Sequence, residues 1–338
     1  MSTSGLPFDD IRALMAHLPP LDAEAAAAIR GRDALLTKPP GSLGRLEDLA
    51  VWLGAVQAKA IPTASRPLVA VFAGNHGVAA RGVSPYPTSV TAGMVANFAA
   101  GGAAINQICG HLGLGLKVFE LALEIPTADI TVAPALDEAG CAATIAFGME
   151  AIHGTDLLCL GEMGIGNTTI AAAIYTALFG GEARQWVGRG TGVDDAGYAR
   201  KVTVVEEAVA LNQGHLDDPL EVLRRLGGRE VAAMVGAILA ARIERVPVIL
   251  DGYVVCAAAA VLQAIDPTAL DHCVAGHRSA EGAHGEVLRR LGKEPLLDLG
   301  MRLGEGTGAA LAAGIVRSAL AAHTGMATFD QAGVANKA

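Results

Sequence analysis

Short runs of leucine, valine and isoleucine recur along this chain, most ending at a glycine or polar turn, with a longer alanine-rich stretch of helical period following. This alternation constrains the fold more than any other feature. A run of four to seven apolar residues is too short for a buried helix but suits a strand covered on both faces, and intervening helices long enough to return the chain make such strands parallel. The pattern predicts strands over 68–72, 116–119, 157–160, 185–187, 246–250 and 273–275. It predicts helices over 46–58, 89–108, 168–178, 195–212, 229–243, 253–264 and 308–322. The expected fold class is therefore α/β, a Rossmann-like parallel sheet flanked by helices. Residues 1–64 and 301–338 lack strand signals and are expected to pair as a smaller helical subdomain beside a large α/β domain at 65–300.

Hydrophobic residues make up 52% of the chain but aromatics only 4%, so the interior must be built from small aliphatic side chains that let helices and strands approach closely. The formal charge of -9 excludes a nucleic-acid partner, which would need a basic stripe. A small anion remains compatible, with Arg189, Arg200 and Lys201 as a local cationic patch. Cys109, Cys141, Cys159, Cys256 and Cys273 are odd in number and contain no C-x-x-C, so no disulfide framework and no metal site is expected. A reducing cytoplasm fits that usage. The most apolar stretch, 246–265, is interrupted by Asp251 and Gly252, and the N-terminus lacks a basic segment followed by an apolar one. Neither a membrane association nor a signal peptide is expected.

The glycine turns fall where a site would form. Gly74-Asn-His-Gly77, Gly161 to Gly166, Gly188 to Gly192, Asp251-Gly252 and Gly276-His-Arg-Ser279 each follow a predicted strand. In a parallel sheet the carboxyl ends of the strands share one edge, so these turns predict one composite site. Gly161 and Gly166 have P-loop spacing, but Asn167 stands where the lysine belongs, which argues against nucleoside triphosphate hydrolysis. No G-x-G in the chain is completed as a dinucleotide fingerprint with a following βαβ unit. Backbone amides at a glycine turn and helix start still suit a phosphate, and Gly164, Gly166, Asn167, Gly188, Arg189, Gly190, Thr191, Gly192 and Lys201 are the candidates for holding one. Tight turns demanded by the fold are the competing explanation of each loop.

Other segments are less specific. His76 is either a polar anchor or a site residue, and His277, Arg278, Ser279 and Glu281 form a polar knot that contacts or supports the site. The segment 83–98, with Ser84, Pro85, Tyr86 and Met94, joins a proline-stiffened loop to a helix and can wall a flat apolar ligand while offering a hydroxyl. Lys38-Pro-Pro-Gly-Ser-Leu-Gly-Arg45 reads as a turn capped into a helix by Ser42. Glu305, in Met301-Arg-Leu-Gly-Glu-Gly-Thr-Gly-Ala-Ala310, is a carboxylate between glycines with no evident structural task. In a cleft it would serve as a general base.

Taken in order, the 38–47 segment, Asn75-His-Gly-Val78 with Gly82-Val-Ser-Pro-Tyr-Pro87, Gly161-Glu-Met-Gly-Ile-Gly-Asn-Thr-Thr169, Gly188-Arg-Gly-Thr-Gly192 and the 301–310 segment resemble the nicotinate-nucleotide–dimethylbenzimidazole phosphoribosyltransferase family of the cobalamin pathway. The resemblance implies transfer of 5-phosphoribosyl from nicotinate mononucleotide to 5,6-dimethylbenzimidazole, giving α-ribazole 5′-phosphate and nicotinate. It implies a homodimer without metal, and no other cofactor is expected. It assigns Glu305 as catalytic carboxylate, Glu162 as a second acidic residue, Lys201 as substrate-binding lysine and the Gly188 loop as phosphate cradle, while His76, Ser84, Pro85, Tyr86 and Met94 are the candidates for binding the acceptor base. A noncatalytic carrier of a phosphorylated small molecule and an NAD-linked oxidoreductase are the alternatives from other classes.

Overall fold

The computed structural model describes residues 5–335. Six strands form one sheet, β1 (Pro67–Ala73), β2 (Gly115–Glu120), β3 (Leu157–Met163), β4 (Val248–Leu250), β5 (Cys273–His277) and β6 (Pro295–Leu297), in the spatial order β2-β1-β3-β4-β5-β6. Every pairing is parallel. The order reverses between β1 and β3, which places the switch point of the sheet, and the crevice outside it, at the carboxyl ends of those strands.

The helices are α1 (Asp9–Met15), α2 (Ala23–Asp33), α3 (Arg45–Gln57), α4 (Ser89–Ala99), α5 (Ala104–Leu112), α6 (Glu138–Glu150), α7 (Asn167–Phe179) and α8 (Ala183–Trp186). They continue with α9 (Asp195–Asn212), α10 (Pro219–Leu226), α11 (Arg229–Ile243), α12 (Tyr253–Ile265), α13 (His284–Arg290), α14 (Thr307–Gly325) and α15 (Phe329–Ala332). Alternation along the strands divides the interior in two. Leu68, Ala70 and Phe72 of β1 face the layer that includes α6, α7, α11 and α12, while Val69 and Val71 face α3, α5 and α14. The result is a sheet between two helical layers, as the continuous apolar runs require. Close approach shows between α6 and α11, where a Cβ on Gly236 would stand 1.9 Å from the carbonyl oxygen of Ile145. Only glycine permits that crossing.

Three local expectations fail for identifiable reasons. Residues 183–186 form the short helix α8 instead of a strand: Gln185 Oε1 accepts from the Glu182 amide, and Trp186 Nε1 donates to Gly180 O. The 89–108 helix is two helices, broken where Gly101 adopts a φ of 77°. Strand β6 was absent from the sequence pattern because it has three residues and opens on proline, which edge strands tolerate. Arg32 donates to the carbonyls of His323, Thr324 and Met326, and Leu36 bridges Thr328, so the first and last described segments meet. No helix among the described residues is long and apolar enough to cross a membrane.

Candidate active site

At the end of β3 the chain runs Gly161-Glu162-Met163, turns through Gly164 to Gly166, and enters α7 at Asn167. The strand direction carries Glu162 to the carboxyl edge, and the Asn167 side-chain amide, at the start of α7, donates to its Oε2. Burial, then the nearby Asp251 and Glu230 carboxylates, push the Glu162 carboxyl up to about 8. At neutral pH it is therefore largely protonated.

Glu305 reaches the same edge from the other end of the chain. It lies just before α14 in a turn where Gly304, Glu305 and Gly306 all have positive φ, at 83°, 62° and 81°. A non-glycine residue there costs roughly 1–2 kcal/mol, which surrounding contacts help offset. Asp251, at the end of β4, does so by accepting from the amides of Gly306 at 3.2 Å and Ala309 at 2.9 Å. Glu305 is 5% exposed and its Oε2 is buried without a hydrogen-bond partner. Burial and then the charge of Asp251 push its carboxyl up to about 7. A buried, unpartnered acid with that proton affinity is matched to proton transfer near neutrality.

The 188–192 loop forms the opposite wall. The Gly190 amide donates to both oxygens of Glu281, at 3.0 and 3.2 Å, and its carbonyl accepts from Arg302 Nη1 at 2.8 Å. Beneath it Lys201, 1% exposed on α9, donates through Nζ to Thr168 Oγ1 at 2.9 Å. Burial lowers this ammonium to about 8, with Glu281 opposing the shift. Ser84 Oγ and Thr191 Oγ1 lie 2.9 Å apart and tie the proline-stiffened loop to this wall.

These elements enclose a cleft of about 290 Å³. Of the residues singled out from sequence, Glu162, Gly164, Asn167, Gly190, Thr191 and Tyr86 line it, as do His277, Ser279 and Glu281 of the polar knot. Glu305 follows directly on Arg302, Leu303 and Gly304, which form part of the wall. Others lie apart. Arg189 is drawn away by Asp195 at 2.5 Å and stacks over Tyr198. Met94 packs in the core layer near α3 and α5. His76 is buried behind Gly164 and Gly228, with Nε2 2.8 Å from Glu230 Oε1, a contact without hydrogen-bond direction. Pro85, Gly166, Gly188, Gly192 and Lys201 flank the lining without being part of it. Met163, Ile165, Tyr253, Val254 and Leu303 supply apolar walls that sequence reasoning did not assign to the site. Their signal was position alone, at the ends of strands or the starts of helices. The missed cation is Arg302, visible only as a neighbour of Glu305.

A parallel sheet whose carboxyl edge joins apolar walls, glycine-turn amides, a buried lysine and two proton-holding carboxylates defines an enzyme of small anionic molecules that carry a planar group. The chain belongs to the nicotinate-nucleotide–dimethylbenzimidazole phosphoribosyltransferase family. The family described as Phosphoribosyltransferase matches residues 18–334. The enzyme of that name from Methylocella silvestris is 67% identical over 338 residues, covering 100% of this chain and 99% of its own. Its counterpart from Sinorhizobium sp is also 67% identical, with 100% of both chains covered. Among solved structures, CobT from Thermus thermophilus superposes with a TM-score of 0.86 at 40% identity, covering 93% of this chain and 100% of that one.

Proposed function

We propose that this enzyme transfers the 5-phosphoribosyl group of nicotinate mononucleotide to 5,6-dimethylbenzimidazole, with Glu305 as general base, releasing nicotinate and α-ribazole 5′-phosphate. The observation that carries the base assignment is the buried, unpartnered Glu305 carboxylate beside the cleft. Nicotinate departs as a neutral ring, so its leaving needs no acid, and the barrier lies in positive charge growing at the ribosyl carbon. One benzimidazole nitrogen forms the new C–N bond as the old one breaks. The proton on the other nitrogen becomes acidic and passes to Glu305. Such transfer typically contributes ~10²–10⁴-fold. Attack on the face opposite nicotinate inverts the anomeric carbon, which turns a β nucleotide into an α product.

The remaining parts divide the substrate. Lys201, the Gly190 loop and the start of α7 at Asn167 receive the phosphate, an anion suited to a helix start and a buried ammonium. Tyr86, Met163 and Leu303 wall the planar acceptor. Glu162, held protonated, donates a hydrogen bond toward the ring region instead of adding charge. We infer further that the N- and C-terminal segments act as one helical unit and that the enzyme works as a homodimer in the cytoplasm, where its five unpaired buried cysteines stay reduced. Given nicotinate mononucleotide and dimethylbenzimidazole, the purified protein should release nicotinate and ribazole phosphate in equal amounts. Folded protein that binds the nucleotide and forms no product would leave only a carrier.

A further inference from the structure

Asp251 is the buried carboxylate whose task the reaction above leaves open. It sits at the end of β4, is 1% exposed and does not line the cleft. Its Oδ2 accepts from Gly306 and its Oδ1 from Ala309, so one side chain spans the entry to α14. Thr307 closes the turn from within, its amide and Oγ1 donating to Gly304 O at 3.1 and 2.8 Å, but Glu305 is a non-glycine residue in the left-handed region, and the contact from Asp251 helps offset that cost.

We propose that Asp251 is the positioning residue for Glu305: its carboxylate anchors the Gly304–Gly306 turn through the Gly306 and Ala309 amides and is the neighbouring anion when Glu305 takes the acceptor's proton. This rests on the reading of Glu305 as the base. The titratable groups around Asp251 are Glu162 and Cys159 from β3, His277 from β5, Cys256 from α12 and Glu305 from the turn. Among the carboxylates, backbone amides favour ionisation of Asp251 alone, and His277 Nε2 stands 3.5 Å from its Oδ1. Glu305 Oε2 has no donor, and Glu162 has only the Asn167 amide. Burial raises the Asp251 carboxyl, and His277 with the amides of Ala309, Gly308 and Gly306 opposes that shift, so Asp251 is the carboxylate whose charge the surroundings support beside Glu305. The helix start that would otherwise favour anions at this point is already satisfied by Asp251.

The test is the pH dependence of kcat/KM in the wild type, Asp251→Asn and Asp251→Glu. Removing the charge should move the acidic limb down by about one pH unit, the usual scale for loss of a close like charge, with kcat falling severalfold. Asp251→Glu keeps the charge and should keep the limb within a few tenths of wild type. A limb unmoved in folded Asp251→Asn overturns the proposal, whatever happens to kcat. Carbon-13 carboxyl titration of the wild type decides the matter without a variant. Asp251 must ionise at lower pH than Glu305, and an Asp251 that holds its proton as long as Glu305 does overturns it too. Loss of the limb in Glu305→Gln tests the base assignment separately, so the two failures are distinguishable.

Discussion

Gly161 lies so close to the backbone of Glu305 that a Cβ at position 161 would stand 2.7 Å from the Glu305 carbonyl carbon and 2.6 Å from the Gly306 nitrogen. The strand that carries one catalytic candidate is thus the surface against which the other is seated. Gly161→Ala should push the turn off the sheet, cost about 1–3 kcal/mol of stability as overpacking does, and lower kcat more than it raises KM for the nucleotide. Unfolding midpoints and steady-state kinetics check this; a wild-type kcat would mean the seating does not matter.

Glu305→Gln should trade activity for stability. The folded carboxyl holds its proton to about 7, above the ordinary value of 4.5. Its contribution to stability is therefore full below pH 4.5 and is lost as pH rises through 7. At pH 8 the charged form is a burden on the order of 2–3 kcal/mol, which glutamine removes. The variant should melt at or above the wild-type temperature at pH 8, with the advantage gone at pH 4.5. Lower stability at pH 8 would show that the charge is better solvated than its burial implies.

Lys201→Met should weaken phosphate binding while sparing the fold. Burial holds this ammonium at about 8, below the ordinary 10.5, so it opposes folding under acid and stability recovers as pH rises from 8 toward 10.5. A charge-assisted hydrogen bond to phosphate contributes ~1.5–3 kcal/mol, so nucleotide affinity by calorimetry should fall about 10- to 100-fold. Unchanged affinity would move the phosphate elsewhere in the cleft.

A carboxylate shifted in the opposite direction lies at the far end of the sheet. Burial of Asp156 favours the protonated form, but the amides of Ser65 and Arg66 and the Ser65 hydroxyl, at 2.8 to 3.0 Å, outweigh it and hold the carboxyl below its ordinary value. Its contribution is present above pH 3.8 and is lost as pH falls through the lowered value. Asp156→Asn should cost about 1–3 kcal/mol at pH 7, with the deficit shrinking toward pH 3. Denaturant unfolding at the two pH values measures it, and a deficit that does not change with pH would refute the charge argument.

The fold was legible where one physical rule acted alone. Helices 195–212 and 229–243 match α9 and α11 because the Asp194 side chain caps the first through the Gly197 amide and Gly228 opens the second, a long run buried along nearly its whole length. Residues 185–187 misled because Trp186 and Val187 are strand formers, while the capping contact from Gln185 to Glu182 is a side-chain event that periodicity does not see. The 38–47 segment looked uninformative alone. In the structure Lys38 joins Asp33 and Glu47 at 2.8 and 2.7 Å, and α3 starts after Gly44 instead of at a Ser42 cap. In the site, glycine turns pointed to Gly164 and Gly190, but proximity in sequence wrongly grouped Arg189 with them, since Asp195 competes for its guanidinium. The Asp251-Gly252 turn was picked out, but the role of Asp251 was hidden because its partners lie 55 and 58 residues away.

The most direct measurement is the single-turnover rate of Glu305→Gln with nicotinate mononucleotide and dimethylbenzimidazole, beside nucleotide affinity from calorimetry. The account predicts a rate at least ~10²-fold below wild type, with affinity changed only a few-fold. A rate equal to that of wild type, from protein that binds nucleotide normally, would contradict it.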